Sequence, residues 1–192
     1  MGYRLVTPPA TLPVSRVEAK AQLRVDHSDE DTLIDRLIAA ATAYLDARTG
    51  ILGRCLITQT WEIVLDAFPS GAIEIPLGPV QSVTSVTYVD TNGMPQTVSS
   101  SDYYVDTTSL SAWVVPEITW PDTLQAANVM TVRFVAGYGS AATAVPEPIR
   151  HAILLLVGHW YEQRMPVSVG ATASEMPMAV SALIAPFRVN KL

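Results

Sequence analysis

Residues 28–66 read SDEDTLIDRLIAAATAYLDARTGILGRCLITQTWEIVLD, and within them the spacing of apolar residues changes from that of a helix to that of a strand. The first half has apolar side chains every three or four residues, which is typical of a helix with one buried face. This stripe comprises Leu33, Ile34, Leu37, Ile38, Ala41, Tyr44 and Leu45. Gly50 is the predicted helix stop. From Cys55 onward the period becomes two, which predicts a strand with Ile63 on its apolar face and Glu62 on its polar face.

Helix signals lie on both sides of this stretch. Ser15 and Glu18 form a capping-box pattern that predicts a short helix ending near Val25. Near the other end of the chain, Pro148 suits the first turn of a helix that is expected to run to Met165. A last helix is predicted from about residue 174, with Pro186 marking an early end. The apolar stripes of these two helices comprise Ile149, Ile153, Leu156 and Trp160, then Val180, Leu183, Ile184 and Phe187.

The middle of the chain is rich in strand signals. Asn92 and Gly93 tolerate positive φ and predict a hairpin turn between residues 80–90 and 94–98. Residues 130–136 alternate again and predict a last strand. We therefore expect an α+β fold, with a helical scaffold from residues 1–52 and 140–192 and a β-rich insertion at residues 53–139. The Pro-rich first residues are expected to be extended within the helical part.

Composition narrows the classes of function. The chain has 192 residues, a formal net charge of −6, 49% hydrophobic residues and one cysteine. These values exclude wholesale disorder, an internal disulfide and a zinc site built from cysteines. Lys and Arg are scattered among acids, which disfavours tight binding to nucleic acid. No apolar run approaches the ~20 residues of a membrane span, and no signal peptide is recognised, so we expect a soluble protein made in the cytoplasm.

The sequence offers no coherent catalytic motif. It lacks the G-x-S-x-G nucleophile elbow and the P-loop pattern. His151, His159 and Glu162 share a predicted helix, but a metal site needs further ligands than this spacing supplies. Packed histidines at the edge of a helix are the favoured interpretation, and the four tryptophans are expected to be core or interface anchors. We therefore expect no enzyme, and no catalytic, cofactor-binding or metal-binding residue.

Several stretches together resemble one known family. They are PVSRVEAKAQLRVD at residues 13–26, AATAYL at 40–45, LITQTW at 56–61, VQSVTSVTY at 80–88, FVAGYG at 134–139, VPEPIRHAILLLV at 145–157 and HWYE at 159–162. In this order they resemble the long, β-inserted branch of the head–tail connector (adaptor) proteins of tailed bacteriophages and gene transfer agents. The resemblance spans almost the whole chain.

The resemblance implies a virion structural protein at the interface of head and tail. Such proteins form a homo-oligomeric ring, usually of twelve subunits, between the portal protein and a stopper, head-completion or tail protein. DNA passes through the lumen without specific binding, and twelve copies would carry 12 × −6 = −72 charges. The expected portal-docking residues are Phe187, Arg188, Val189, Asn190, Lys191 and Leu192. Two alternatives stay open, a tail-tube or baseplate protein and a non-catalytic accessory of DNA packaging.

Overall fold

The computed structural model describes residues 1–163 and 178–189. In chain order the elements are β1 (Gly2–Thr7), α1 (Arg16–Leu23), α2 (Asp31–Leu45), β2 (Gln59–Leu65), β3 (Ile73–Ile75), β4 (Val80–Val89), β5 (Pro95–Thr97), β6 (Tyr103–Asp106), β7 (Ala112–Pro116), β8 (Met130–Ala136), α3 (Glu147–Glu162) and α4 (Met178–Ile184). Helices and antiparallel sheets occur together, so the predicted α+β class is confirmed. Within the described residues, no helix is long and apolar enough to span a membrane.

The chain divides into two compact units. We call Met1–Ala10 with Thr58–Tyr138 the strand unit, and Thr11–Ile57 with Gly139–Leu192 the helical unit. The expected boundaries, 1–52 and 140–192 against 53–139, therefore differ at three places. Residues 1–10 belong with the strands, and residues 53–57 and Gly139 belong with the helices. Whether the two units act as a connector core and an insertion stays a prediction.

A five-stranded antiparallel sheet, in the order β1-β2-β8-β4-β5, forms most of the strand unit. Strands β2 and β8 pair in full register, with Trp61 opposite Phe134 and Ile63 opposite Val132. Every second residue of β8 is buried, as the period of two predicts. The hairpin also forms as predicted, because Gly93 has φ +81° and Val89 pairs with Pro95. A second sheet, in the order β3-β7-β6, completes this unit.

The N-terminal segment corrects one expectation. Residues 2–7 form the edge strand β1, which pairs with β2 from Gly2 opposite Val64 to Leu5 opposite Trp61. From the sequence, they are expected to be an extended part of the helical scaffold. Pro8 follows the strand and so removes no N–H from it, and the restriction that a proline places on the preceding residue favours the extended conformation of a strand.

In the helical unit, α2 packs against α3, and α3 also contacts α1 and α4. The capping box at the start of α1 is confirmed: the Ser15 hydroxyl accepts the Glu18 N–H, and the Glu18 carboxylate accepts the Ser15 N–H at 2.8 Å. The predicted stripe of α2 is largely buried, although Tyr44 is 40% exposed and meets Trp160 edge-on at 6.1 Å. The buried α2 residues are Ile34, Ile38, Ala41, Thr42 and Leu45.

Two helix ends differ from those expected. Helix α2 stops at Leu45, five residues before the predicted stop at Gly50. Gly50 is needed for another reason, since a Cβ there would lie 2.3 Å from the Asp46 carbonyl oxygen. Helix α3 ends at Glu162, and the predicted end at Met165 lies outside the described residues. The same holds for the predicted start of the last helix near residue 174, while Pro186 does follow the end of α4 at Ile184.

Candidate docking surfaces

The histidines do not assemble a metal site in the part of the chain that the structure describes. No group of three or more His, Cys, Asp or Glu side chains within residues 1–163 and 178–189 is placed to hold a metal ion. On α3, His151 is exposed and His159 is half-buried. His27 lies 3.9 Å from the exposed Asp29.

The first half of the predicted docking segment is tied into the helical unit. Phe187 ends a short 3-10 turn and is half-buried, and its carbonyl oxygen accepts a 2.7 Å hydrogen bond from the Arg54 Nε. The Val189 N–H donates to the Leu52 carbonyl at 2.9 Å. Of the three described residues, only Arg188 is exposed. These bonds hold Phe187 and Val189 against residues 52–54.

Asn190, Lys191 and Leu192, the rest of that predicted segment, lie outside the described residues. The docking role of the whole segment, Phe187 to Leu192, is not tested by the fold and stays a prediction.

Arg150 connects the start of α1 to α3. Its guanidinium bonds the Glu18 carboxylate, donates to Glu147 Oε2 at 2.6 Å and donates to the Pro13 carbonyl at 3.0 Å. The side chain is only 13% exposed, so these bonds are partly shielded from water. The Ser15 hydroxyl and N–H, followed by Arg150, lower the pKa of Glu18 below its ordinary value despite partial burial. Glu18, the carboxylate of the capping box, therefore stays ionised and holds α1 to α3.

The sheet face of the strand unit contains a row of charges. Arg4 on β1, Glu62 on β2 and Arg133 on β8 are direct cross-strand partners. The Glu62 side chain is 3% exposed, whereas Arg4 and Arg133 are 69% and 46% exposed. Each arginine donates two hydrogen bonds to one carboxylate oxygen. Arg133 donates to Oε1 from its Nε at 2.8 Å and from its Nη2 at 2.6 Å. Arg4 donates to Oε2 from its Nε at 2.8 Å and from its Nη2. The two guanidiniums thus cover the acid.

Electrostatics keep Glu62 charged. Burial raises its pKa, but hydrogen bonds and charge from Arg133 and Arg4 outweigh this and leave the pKa below its ordinary value. Glu62 was predicted on the polar face of its strand, opposite to the face of Ile63, and on that face its side chain is buried. The period of two identifies the face of a strand, but only the neighbouring strands decide whether a polar side chain there is covered.

The strand unit carries the whole net charge of the chain. Its sequence contains two arginines, no lysine and eight carboxylates, a net charge of 2 − 8 = −6. Both arginines bind Glu62, so the strand unit has no further Lys or Arg for its seven other carboxylates. These are Asp66, Glu74, Asp90, Asp102, Asp106, Glu117 and Asp122. The helical unit is balanced, with 12 − 2 = 10 cations and 18 − 8 = 10 acids.

Hydrogen bonds hold two of these carboxylates, Asp90 and Asp106, in their ionised form. Asp90 accepts the Met94 and Asn92 N–H groups at 2.9 Å in the hairpin turn, and bonds from Met94, Gln96 and Asn92 lower its pKa. Asp106 accepts the hydroxyl and the N–H of Thr108, which lower its pKa as well. The strand unit therefore presents a negative surface at neutral pH.

The comparisons with known proteins agree with this fold. Residues 17–117 match the family described as phage gp6-like head-tail connector protein, and these 117 − 16 = 101 positions are more than half of the 192 residues. No curated protein matches the chain at a significant level.

Three solved structures from gene transfer agent (GTA) particles are similar over 100% of this chain and 97% of theirs, each at 23% sequence identity. One is the neck of an empty GTA particle computed with C6 symmetry, with a TM-score of 0.81. The second is the virion of a native GTA particle, at 0.82, and the third is the neck of a native GTA particle computed with C12 symmetry, at 0.72. At this identity the likeness shows a shared fold.

Proposed function

The chain belongs to the phage gp6-like head-tail connector family, and we propose that it is a structural subunit of a virion, located where the head meets the tail. The family match over residues 17–117 carries this proposal. The family description names a connection between two parts of a particle, which is a structural role. We further propose that the protein catalyses no reaction and needs no cofactor.

We propose that copies of the chain form a closed ring, with the portal on one side and a stopper, head-completion or tail protein on the other. Similar chains occur in GTA necks computed with C6 and C12 symmetry, which supports a ring of twelve. Helical faces are proposed to make most subunit contacts. Val17 on α1 is 77% exposed and Met178 on α4 is 89% exposed, so these helices have apolar side chains available for such contacts, as the strand unit also has in Leu110 and Ile118.

The ring is proposed to extend the channel for DNA. Twelve copies would carry 12 × −6 = −72 charges, all from the strand units, because the helical units are balanced. Negative walls repel phosphate, and weak contact favours passage because each neutralised phosphate would add affinity and slow the DNA. This charge distribution supports a conduit in preference to a DNA clamp.

Portal docking is proposed for the segment Phe187 to Leu192. Among its described residues, Arg188 is the exposed cation, while Phe187 and Val189 are held by the helical unit. An anchored base with an exposed charged side chain suits a segment that presents itself to a second protein, because less order has to be gained on binding.

The test mixes the purified chain with the portal protein of the same particle and examines the product by electron microscopy. We expect rings bound coaxially to one face of the portal, with the rotational order of the portal. Tubes that grow without portal would favour the tail-tube alternative. A monomer that never binds portal, under conditions where portal binds its other partners, would refute the connector proposal.

A further inference from the structure

The three-stranded sheet has one apolar face and one mixed face. On β3, Ile73 and Ile75 are buried while Glu74 between them is exposed. On β7, Ala112 and Val114 are buried while Trp113 is half-buried. Because successive side chains of a strand point to opposite faces, Glu74 and Trp113 lie on the face away from this core.

Cross-strand pairing places an aromatic side chain between two acids on that second face. Trp113 lies opposite Glu74 of β3 on one side and opposite Asp106 of β6 on the other. Two residues along the strands, Val115 pairs with Tyr104, which is 52% exposed. Directly opposed side chains in antiparallel strands have Cβ atoms about 5 Å apart, so these side chains form one continuous surface. We call Glu74, Tyr104, Asp106, Trp113 and Val115 the acid-flanked aromatic face.

The charges of this face lack a cation from their own unit. Arg4 and Arg133, the two cations in the sequence of the strand unit, both bind Glu62. Asp106 is kept ionised by Thr108, whose hydroxyl donates at 2.6 Å and whose N–H donates at 2.9 Å. An indole ring attracts cations to its face, and a carboxylate beside the ring adds a second attraction for the same cation.

We propose that the acid-flanked aromatic face binds an arginine- or lysine-bearing segment of a different protein, with the cation over the Trp113 ring and paired to Glu74 or Asp106. Charge complementarity selects this occupant. Nucleic acid is repelled by the carboxylates. In a second copy, the arginines of the strand unit already bind Glu62, and the ten cations of the helical unit are matched by ten acids, so a net basic segment has to come from another protein. The inference goes beyond the connector role and does not depend on ring assembly, because one chain contains all of the residues involved.

The test is a titration of the full chain with a short peptide of alternating arginine and glycine. The protein is labelled with 5-fluorotryptophan, so that its four tryptophans give separate fluorine NMR signals. The Trp113 signal is assigned with Trp113→Phe. We expect the peptide to shift the Trp113 signal and to leave the signal of Trp160, in the helical unit, unchanged. A peptide with citrulline in place of arginine has the same shape without charge and should cause no shift.

Matched variants test the acids. Glu74→Gln should weaken binding of the arginine peptide about two- to fivefold, the range for one exposed ion pair. Asp122→Asn removes the same charge from an exposed loop of the same unit and should weaken binding less. The proposal is overturned if the citrulline peptide shifts Trp113 equally, or if neither Glu74→Gln nor Asp106→Asn weakens binding more than Asp122→Asn does. It is also overturned if Trp113 responds to protein concentration and not to peptide, since the face would then be a contact between copies.

Discussion

Replacement of Glu62 by glutamine should destabilise the strand unit by about 2 kcal/mol. The side chain is 3% exposed and accepts hydrogen bonds from two arginines. A hydrogen bond to a charged group contributes ~1.5–3 kcal/mol and a neutral one ~0.5–1.5, so loss of the charge costs about 1 kcal/mol for each arginine. The expected loss of stability is no larger, because Arg4 and Arg133 are 69% and 46% exposed and water can hydrate their guanidinium groups in the variant.

Scanning calorimetry of the full chain measures the effect. For a chain of this size, about 2 kcal/mol corresponds to a fall in Tm of about 4–8 °C. Faster hydrogen exchange in peptides that cover β2 and β8 should locate the loss in the strand unit. The control is Glu74→Gln, which removes the same charge from an exposed position and should stay within about 0.5 kcal/mol. Equal Tm values for the two variants would show that the arginine–glutamate row contributes nothing to stability.

Four further outcomes follow from the same structure. Folding lowers the pKa of Glu62, so the stabilisation by its ionised form is complete above the unfolded pKa near 4.5 and is lost as the pH falls through the lower folded pKa. Calorimetry should therefore show that Glu62→Gln loses less stability on acidification than the unaltered protein does. A gel shift with submicromolar protein should detect no duplex DNA binding at ~150 mM salt, and a retained complex would contradict the channel role. Arg188→Ala should keep the Tm but weaken portal binding in pull-downs, whereas deletion of residues 187–192 should lower both, because it removes the bonds to Arg54 and Leu52. Ring assembly in light scattering should strengthen as salt rises from ~20 to ~300 mM, because salt screens the repulsion between strand units, and weakening would point to contacts between opposite charges.

Local signals predicted local structure well. The capping box at Ser15 and Glu18 involves residues three apart, and the hairpin at Gly93 depends on one positive φ, so both can be recognised in a single sequence. Pairings between distant strands could not be recognised in this way. Strand β1 lies more than fifty residues before its partner β2, and neither carries a signal that names the other. The first residues were therefore assigned to the wrong unit.

The candidate surfaces were predicted less completely than the fold. The row of Arg4, Glu62 and Arg133 requires three strands to be in register, and the alternation of one strand indicates only which face a side chain is on. Which residues dock also depends on the surface of the partner protein, and this sequence contains no information about that surface. For the segment from Phe187, the hydrogen bond from Arg54 depends on the position of a loop 133 residues earlier, which the sequence of the segment does not indicate.

The scarcity of cations in the strand unit links its stability to its contacts. A unit with eight carboxylates and two arginines gains nothing from spreading the arginines, because isolated ion pairs at the surface contribute little. Both instead cover the one acid that the sheet buries, where leaving a charge uncompensated would cost most. The remaining carboxylates then define how the surface meets other molecules. They repel phosphate and attract basic protein segments, so the same composition that leaves DNA unbound favours a cationic partner at Trp113.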